Sequence, residues 1–200
     1  MSDGPNGATN ADFIVDLFAG PGGLDVASTW LGVPCIGIEW DQNACLTRHA
    51  AGLATVQGDV RSFGPTVFPQ ATILAGGPPC QTFTVAGGGA GRRALKQVLT
   101  GIDSLADGCD ISGLLSELDD ERTGLVLEPL RWALEAERAG IGYKTIVLEQ
   151  VPAVMTVWKA MAEVLADHGY HVATDVLRAE EFGVPQTRRR ALLIASGRPV

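Results

Sequence analysis

One cysteine of the chain lies in a rigid turn rich in glycine and proline, and one glutamate follows a later apolar strand. The cysteine is Cys80, within the run 76–81 (GGPPCQ), and the glutamate is Glu149, directly after the apolar segment 144–148. A thiolate is a nucleophile, and a carboxyl group can hold or donate a proton. A lone cysteine is more often an inert buried residue, so the rest of the sequence must decide between these interpretations.

A glycine-rich turn and an acidic strand end indicate a nucleoside site. The turn 20–23 (GPGG) follows an apolar strand, and glycine lets the backbone approach a ligand closely. Glu39 ends the next predicted strand, where a carboxylate can hold ribose hydroxyls. The turn lacks the complete G-x-G-x-x-G pattern of pyrophosphate sites, which argues against a dinucleotide. A tight turn without any ligand is the alternative.

Two further residues fit a nucleoside. Trp40, directly after Glu39, offers a ring that can stack on adenine. Asp59, after the third predicted strand, can accept a hydrogen bond from an exocyclic amine. A core tryptophan and a turn aspartate are the alternatives for these two residues.

Alternating strand and helix patterns predict the fold class. Strands are predicted at 13–18, 34–39, 54–57, 71–75, 144–148, 170–177 and 190–195, and helices at 24–31, 41–51 (with Asp41 as the N-cap), 125–138 and 153–168. This alternation favours an α/β, Rossmann-like sheet that is mostly parallel, with helices on both faces. The last two strands have no helix between them and predict an antiparallel edge hairpin. Ligands bind at the carboxyl ends of the strands in such a sheet.

Length and composition bound the remaining possibilities. The chain has 200 residues, 46% of them hydrophobic, which predicts one compact domain at 12–200 after a disordered leader at 1–11. Its net charge of −8 is the wrong sign for a free-standing nucleic-acid binder. No apolar run reaches the roughly 20 residues needed to span a bilayer, and the polar start is unlike a secretory signal. We therefore expect a soluble, cytoplasmic protein without a membrane partner.

Cysteine and histidine positions do not predict a metal site. The four cysteines form no C-x-x-C pair and have no histidine at zinc spacing. The three histidines, His49, His168 and His171, match no functional role.

Several short runs resemble the cytosine-C5 DNA methyltransferase family and follow the family's order. They are DLFAGPGGLD (16–25), IEWD (38–41), GDV (58–60), GGPPCQ (76–81), LEQV (148–151) and GVPQTRRR (183–190). The resemblance implies the fold of an S-adenosylmethionine-dependent methyltransferase catalytic domain. It disfavours an amino-directed methyltransferase, which has an aromatic residue where Cys80 stands.

The resemblance also implies a mechanism. The target cytosine of double-stranded DNA is flipped out of the helix, and the Cys80 thiolate adds to its C6 atom. Glu149 holds or protonates the N3 edge, so that C5 becomes able to attack the methyl group. Arg188 and Arg190 match the family's paired arginines and donate to cytosine O2 and to phosphate groups. A restriction or phage setting, in a bacterial or phage-infected cell, is the expected context.

By the same resemblance, a set of residues is expected to bind S-adenosyl-L-methionine. Those that line the pocket are Phe18, Glu39, Trp40, Asp59, Val60, Pro79 and Leu125, while Gly20, Gly22 and Gly23 shape its floor.

The sequence departs from the family pattern in three places. Gln150 replaces the asparagine that usually follows the catalytic glutamate. The segment 78–122 shows little regular apolar pattern and predicts a long catalytic loop at about 80–123, in which Arg92, Arg93 and Lys96 are expected to contact phosphates. Nothing after residue 200 supplies a target-recognition region, so we expect a complementing chain to carry it.

Two other functions stay open at this stage. A tRNA cytosine-C5 methyltransferase could use the same residues on a different polymer. A non-catalytic or split subunit could bind the cofactor or a partner chain without gripping DNA by itself. A truncated sequence, one subunit of a split enzyme and a degenerate copy would each explain the missing region.

Overall fold

The computed structural model describes residues 11–79, 89–116 and 121–197. Their centre is a sheet of seven strands. The strands are β1 (Ile14–Leu17), β2 (Cys35–Glu39), β3 (Thr55–Gln57), β4 (Ile73–Gly76), β5 (Thr145–Gln150), β6 (His171–Arg178) and β7 (Arg189–Ser196). In space they follow the order β3-β2-β1-β4-β5-β7-β6.

Strand direction changes only near one edge of this sheet. Strands β1 to β5 pair in parallel, whereas β7 pairs antiparallel with both β5 and β6. The predicted mostly parallel sheet with an antiparallel edge hairpin is therefore confirmed. The strand order turns back between β1 and β4, which is the place where open α/β sheets bind ligands.

Helices connect and cover the strands. They are α1 (Gly23–Leu31), α2 (Gln42–Ala50), α3 (Gly89–Ala106), α4 (Ser112–Ser116), α5 (Glu121–Gly124), α6 (Glu128–Arg138) and α7 (Met155–Asp167). Asp41 caps α2 as predicted, since its carboxylate accepts a hydrogen bond from Ala44 N at 2.8 Å. Pro129 lies in the first turn of α6, where its missing N–H costs little. Among the described residues, no helix is both long and apolar enough to cross a membrane.

Helix α3 corrects the prediction of an irregular segment at 78–122. It is 18 residues long, and Ala94, Val98, Ile102 and Leu105 form its buried face. Their spacing is helical, but the glycines around them hid the pattern. A Cβ atom at Gly101 would stand 2.6 Å from Leu127 Cδ1, so the glycine lets α3 pack closely against Leu127.

The main core lies on the sheet face covered by α6 and α7. Val15 and Leu17 of β1 belong to it, and Asp16 between them points to the opposite face, because side chains alternate along a strand. Trp132 of α6 and Trp158 of α7 are both fully buried there.

Helix α1, on the other face, has an unusual distribution of side chains. Its buried residues are polar, Asp25 and Ser28, whereas Trp30 and Leu31 are 83% and 78% exposed. Burial of Asp25 requires an opposite charge, which the neighbouring helix α2 supplies. The polar contacts of α1 therefore lie beneath the glycine turn that precedes it.

Candidate active site

A cavity of about 430 Å³ opens at the carboxyl ends of β1, β2 and β4. The predicted cofactor residues Phe18, Glu39, Trp40, Asp59, Val60, Pro79 and Leu125 all line it. The sequence interpretation missed further lining residues, which are Ile38, Gly58, Arg61, Gly77 and Arg122. Gly58 and Gly77 could have been found from their positions directly after strands, whereas the two arginines carry no comparable sequence signal.

Phe18 has a backbone conformation that aromatic residues rarely adopt. It follows β1 with a φ of 59°, in the left-handed region. Such a conformation costs on the order of 1–2 kcal/mol for a residue with a side chain. The surrounding structure therefore holds Phe18 in place, and this residue lines the cavity.

Glu39 joins the glycine turn to the start of α2. Its Oε2 accepts a hydrogen bond from Gly20 N, and its Oε1 accepts one from Asp41 N, each at 2.7 Å. A carboxylate has about four lone-pair positions, so both oxygens can still accept from a ligand. Glu39 is 8% exposed, and its position at the end of β2 places this capacity at the cavity wall.

The three glycines predicted for the cavity floor do not line the cavity. Gly20 and Gly22 have φ values of 54° and 103°, which only glycine adopts without strain. A Cβ atom at Gly22 would also collide with Leu53 Cδ1. Gly23 begins α1. Their physical role is to shape the turn, and only Gly20 reaches toward the site, through its N–H on Glu39.

Asp59 forms an ion pair at the cavity wall. Arg61 Nη2 lies 2.7 Å from Asp59 Oδ2, and Arg61 N donates to Asp59 Oδ1 at 2.9 Å. The hydrogen bond from the Arg61 side chain lowers the pKa of Asp59 from its usual value. Asp59 is therefore an ionised acceptor at neutral pH.

A buried ion pair supports the glycine turn from below. Arg48 Nη2 lies 2.6 Å from Asp25 Oδ1, and the two side chains are 0% and 2% exposed. Arg48 Nη1 also donates to Ala19 O at 3.4 Å. The guanidinium group fits because Gly37 has no side chain, since a Cβ atom there would collide with Arg48 Nη2.

Asp16 lies beside this ion pair without a donor. It is 1% exposed, and no hydrogen-bond donor among the described residues reaches either carboxyl oxygen. Burial, followed by the negative charge of Asp25, raises the pKa of Asp16 well above its usual value. A hydrogen bond to Asp25, which only the protonated acid can donate, also favours the neutral form of Asp16.

Both predicted arginines lie within ion-pair distance of Glu149. Arg190 Nε lies 2.7 Å from Glu149 Oε1, and Arg188 Nη2 lies 3.6 Å from the same oxygen. The antiparallel pairing of β7 with β5 places Glu149 opposite Leu192. Arg190 is two residues from Leu192 and therefore on the same face of the sheet. The Glu149 side chain is 29% exposed, so solvent or a substrate can reach it.

Glu149 also lies beside the turn that follows β4. An ideal Cβ atom at Gly77 would stand 4.0 Å from Glu149 Oε2. Pro78 and Pro79 come next in the chain, and Pro79 lines the cavity. Cys80 itself lies outside the described residues.

Gln150 connects the end of β5 to this turn. Its Nε2 donates to Pro78 O at 2.7 Å, and its Oε1 accepts from Val151 N. Both ends of the amide are therefore used. The sequence identified Gln150 as a departure from the family but did not predict this contact.

The described part of the chain contains no metal-binding cluster at this site. Within the described ranges, no group of three or more histidine, cysteine, aspartate or glutamate side chains has a metal-binding arrangement. The ionisable groups described at the site include the carboxylates of Glu39, Asp59 and Glu149 and the guanidinium groups of Arg61 and Arg190.

The sheet order, with a cavity at its strand switch point, gives this chain the fold of the S-adenosylmethionine-dependent methyltransferases. Solved methyltransferase structures share this fold. The chain is similar to the Dnmt2 methyltransferase of S. pombe, with a TM-score of 0.68, 17% identity, and coverage of 94% of this chain and 52% of that one. It is also similar to a putative DNA modification methyltransferase encoded within an E. coli prophage, with a TM-score of 0.64, 21% identity, and coverage of 93% and 47%.

The chain belongs to the C-5 cytosine-specific DNA methylase family, which it matches over residues 13–100 and 110–198. Among curated relatives, Type II methyltransferase M.AquIA of Picosynechococcus sp. is 27% identical, and the alignment covers 92% of this chain and 71% of that protein. Type II methyltransferase M.NlaX of Neisseria lactamica is 33% identical, with coverage of 90% and 51%. The chain thus spans about half of M.NlaX, and 45% of M.NgoFVII of Neisseria gonorrhoeae.

Proposed function

We propose that this chain transfers a methyl group from S-adenosylmethionine to C5 of cytosine in DNA, through a covalent adduct on Cys80. One observation carries the proposal. Glu149 is held by Arg190 at 2.7 Å and lies beside Gly77, which begins the turn leading through Pro79 to Cys80. The proposed base-holding acid therefore lies beside the segment that leads to the proposed nucleophile, and Gly77 and Pro79 of that segment line the cavity.

The cavity suits S-adenosylmethionine in size and in chemistry. Its volume of about 430 Å³ falls within the range of roughly 300–1,000 Å³ that small-ligand pockets show. The exposed Trp40 ring and the Phe18 ring offer stacking surfaces for adenine. Ionised Asp59 can accept from the exocyclic amine, and Glu39 from the ribose hydroxyls. When bound, the cofactor supplies a methyl group on a positively charged sulfur atom.

The first chemical step belongs to Cys80 and Glu149. The thiolate Sγ forms a bond to cytosine C6, and the electron pair of the C5–C6 double bond moves toward N3, where Glu149 supplies a proton or a hydrogen bond. Cytosine is too poor a nucleophile at C5 to take a methyl group without this addition. C5 would then form a bond to the methyl carbon, while the bond between that carbon and the positively charged sulfur of the cofactor would break.

The second step restores the aromatic ring. A proton supplied at N3 returns to Glu149 when the C4–N3 double bond reforms. The C5 proton leaves to a base, the C5–C6 double bond reforms, and the bond between C6 and Sγ breaks to release Cys80. Arg190 keeps the Glu149 carboxylate in one orientation throughout. Arg188 is more exposed, at 48%, and can reach the base oxygen or a phosphate.

Double-stranded DNA with a flipped cytosine is the proposed substrate, and a complementing region is the proposed partner. The net charge of −8 disfavours strong phosphate binding by this chain alone. The curated relatives are longer than the part that this chain matches. We assign target recognition to a region that the matched part does not contain.

Covalent trapping tests the proposal. DNA containing 5-fluorocytosine blocks the loss of the C5 substituent, so wild type with S-adenosylmethionine should give a denaturation-resistant protein–DNA complex. Cys80→Ala should give none, while Cys109→Ala, a change at an exposed cysteine, should trap like wild type. The assay is run with and without a chain that supplies the recognition region. Trapping that persists in Cys80→Ala, or is absent from wild type under both conditions, contradicts the mechanism.

A further inference from the structure

We infer that Gln150 is a positioning residue that fixes the turn bearing Cys80 against the strand bearing Glu149. The inference rests on the proposed function, because it assumes that these two residues act on the same base.

The pairing of β4 with β5 shows why a side chain is needed at this place. The last paired residues are Gly76 and Leu148, so that Pro78 would stand opposite Gln150 if the ladder continued. Proline has no backbone N–H, and Pro78 and Pro79 follow each other, so the parallel ladder cannot be extended through them. The two strands therefore lose their backbone connection just before Cys80.

The Gln150 amide replaces the missing backbone connection. Its Nε2 donates to Pro78 O at 2.7 Å. Pro78 is buried, and a buried carbonyl without a donor costs about 1–3 kcal/mol. The other end of the amide accepts from Val151 N, which fixes the orientation of the side chain. Gln150 thus holds the turn at a point two residues before Cys80.

The length of the side chain matters for this contact. The family usually has asparagine at this position, which is shorter by one methylene, or about 1.5 Å of reach. The distance from the side-chain amide to Pro78 O is 2.7 Å for glutamine, and for asparagine it would exceed hydrogen-bond distance unless the turn or the strand moved. The turn of this chain is therefore set for glutamine, and the family's usual residue should not restore the same geometry.

Single-turnover trapping on 5-fluorocytosine DNA, with the recognition region present, tests this role. Gln150→Glu keeps the shape but removes the donor and places a carboxylate oxygen against Pro78 O. Because displacement of a reacting group by about 1 Å costs roughly 100-fold in rate, we expect the trapping rate at saturating DNA to fall about 10- to 100-fold. The trapping rate of Gln150→Asn should also fall. The DNA concentration at half-maximal rate and the affinity for S-adenosylhomocysteine should stay within about twofold of wild type, since Gln150 does not line the cavity.

Gln70→Glu is the matched control, because it makes the same change at an exposed residue before β4. It should trap at the wild-type rate. If Gln150→Glu traps at the wild-type rate as well, or loses only DNA affinity, the positioning role is wrong.

A second measurement needs no DNA. Gly77 N donates to Leu17 O at 3.2 Å, and a turn released from Gln150 should exchange this amide hydrogen faster. Faster exchange at Gly77 is expected in Gln150→Glu and not in Gln70→Glu, and unchanged exchange overturns the inference. If wild type fails to trap while Gly77 responds as expected, the proposed chemistry fails and the structural tie stands.

Discussion

Individual carboxylates of this chain have different tasks, and their surroundings decide which. Glu39 receives two backbone N–H groups and joins the glycine turn to the start of α2. Asp59 is kept ionised by Arg61. Glu149 is held by Arg190 but stays partly exposed. Asp16 differs from all three, because it is buried without a donor among the described residues.

The raised pKa of Asp16 gives a prediction about stability and pH. The folded state keeps a proton on Asp16 at a pH where the unfolded carboxyl group, with a pKa of about 3.9, has released it. The contribution of Asp16 to stability is therefore fully present below the pKa of the unfolded state, and it falls as pH rises toward the pKa of the folded state. An asparagine at this position would have no proton to lose and could still donate to Asp25. We therefore expect the unfolding free energy of wild type to fall relative to that of Asp16→Asn as pH rises from about 4.5 to 7. The difference should grow by up to about 1.4 kcal/mol per pH unit.

Urea unfolding at several pH values measures this difference. Asp107→Asn is a suitable control, because Asp107 is exposed at the end of α3. A difference between Asp16→Asn and wild type that stays constant with pH would show that Asp16 is ionised in the folded protein.

At the scale of elements, the most consequential difference between expectation and structure is α3. Three basic residues, Arg92, Arg93 and Lys96, lie on this helix rather than on an irregular loop, and all three are exposed. A helix places them within about one turn of each other, so they form one basic patch. Their proposed contact with phosphates stays a prediction.

Replacing Arg92, Arg93 and Lys96 by alanine should weaken DNA binding in a salt-dependent manner. Each lost phosphate contact lowers the slope of log K against log salt by about 0.9. DNA binding is measured across salt concentrations with the recognition region present. Lys159→Ala, at an exposed position of α7, should leave the slope as it is. A slope that the triple variant shares with wild type means that these side chains do not touch phosphates.

At the scale of the whole molecule, burial is unevenly distributed between the two sheet faces. The face covered by α6 and α7 contains the fully buried Trp132 and Trp158. On the opposite side, α1 buries a charged residue and exposes Trp30 and Leu31. The folding free energy of this chain therefore comes mainly from the first of these faces.

Identical substitutions at two tryptophans test this asymmetry. Trp158→Ala removes a fully buried ring and its hydrogen bond to Ala191 O, and should destabilise the chain by about 3–5 kcal/mol. Trp30→Ala removes a ring that is 83% exposed, and should change stability by no more than about 0.5 kcal/mol. Both values come from urea unfolding of the chain alone, and a large loss in Trp30→Ala would mean that α1 packs more tightly than this structure shows.

Local patterns determined much of this protein. The strand and helix alternation and the Asp41 cap depend on short-range chemistry, and both are confirmed. Six of the seven predicted cavity residues end or follow strands and line the cavity, because parallel strands bring their carboxyl ends to one edge. Leu125, which the family resemblance supplied, lines it from the turn before α6. Helix α3 escaped prediction because glycine weakens the helical pattern, and the packing that favours Gly101 is a tertiary contact.

Only the tertiary structure decided which side chains meet. Arg48 and Asp25 lie on different helices, and the ion pair between them needs the empty space at Gly37. Arg190 reaches Glu149 because β7 inserts between β5 and β6, an order that the sequence pattern does not specify. Gln150 reaches Pro78 because two prolines end a ladder whose partner strand is distant in the sequence. Periodicity reports which face of an element is buried, whereas partners across such distances depend on the packing of the whole chain.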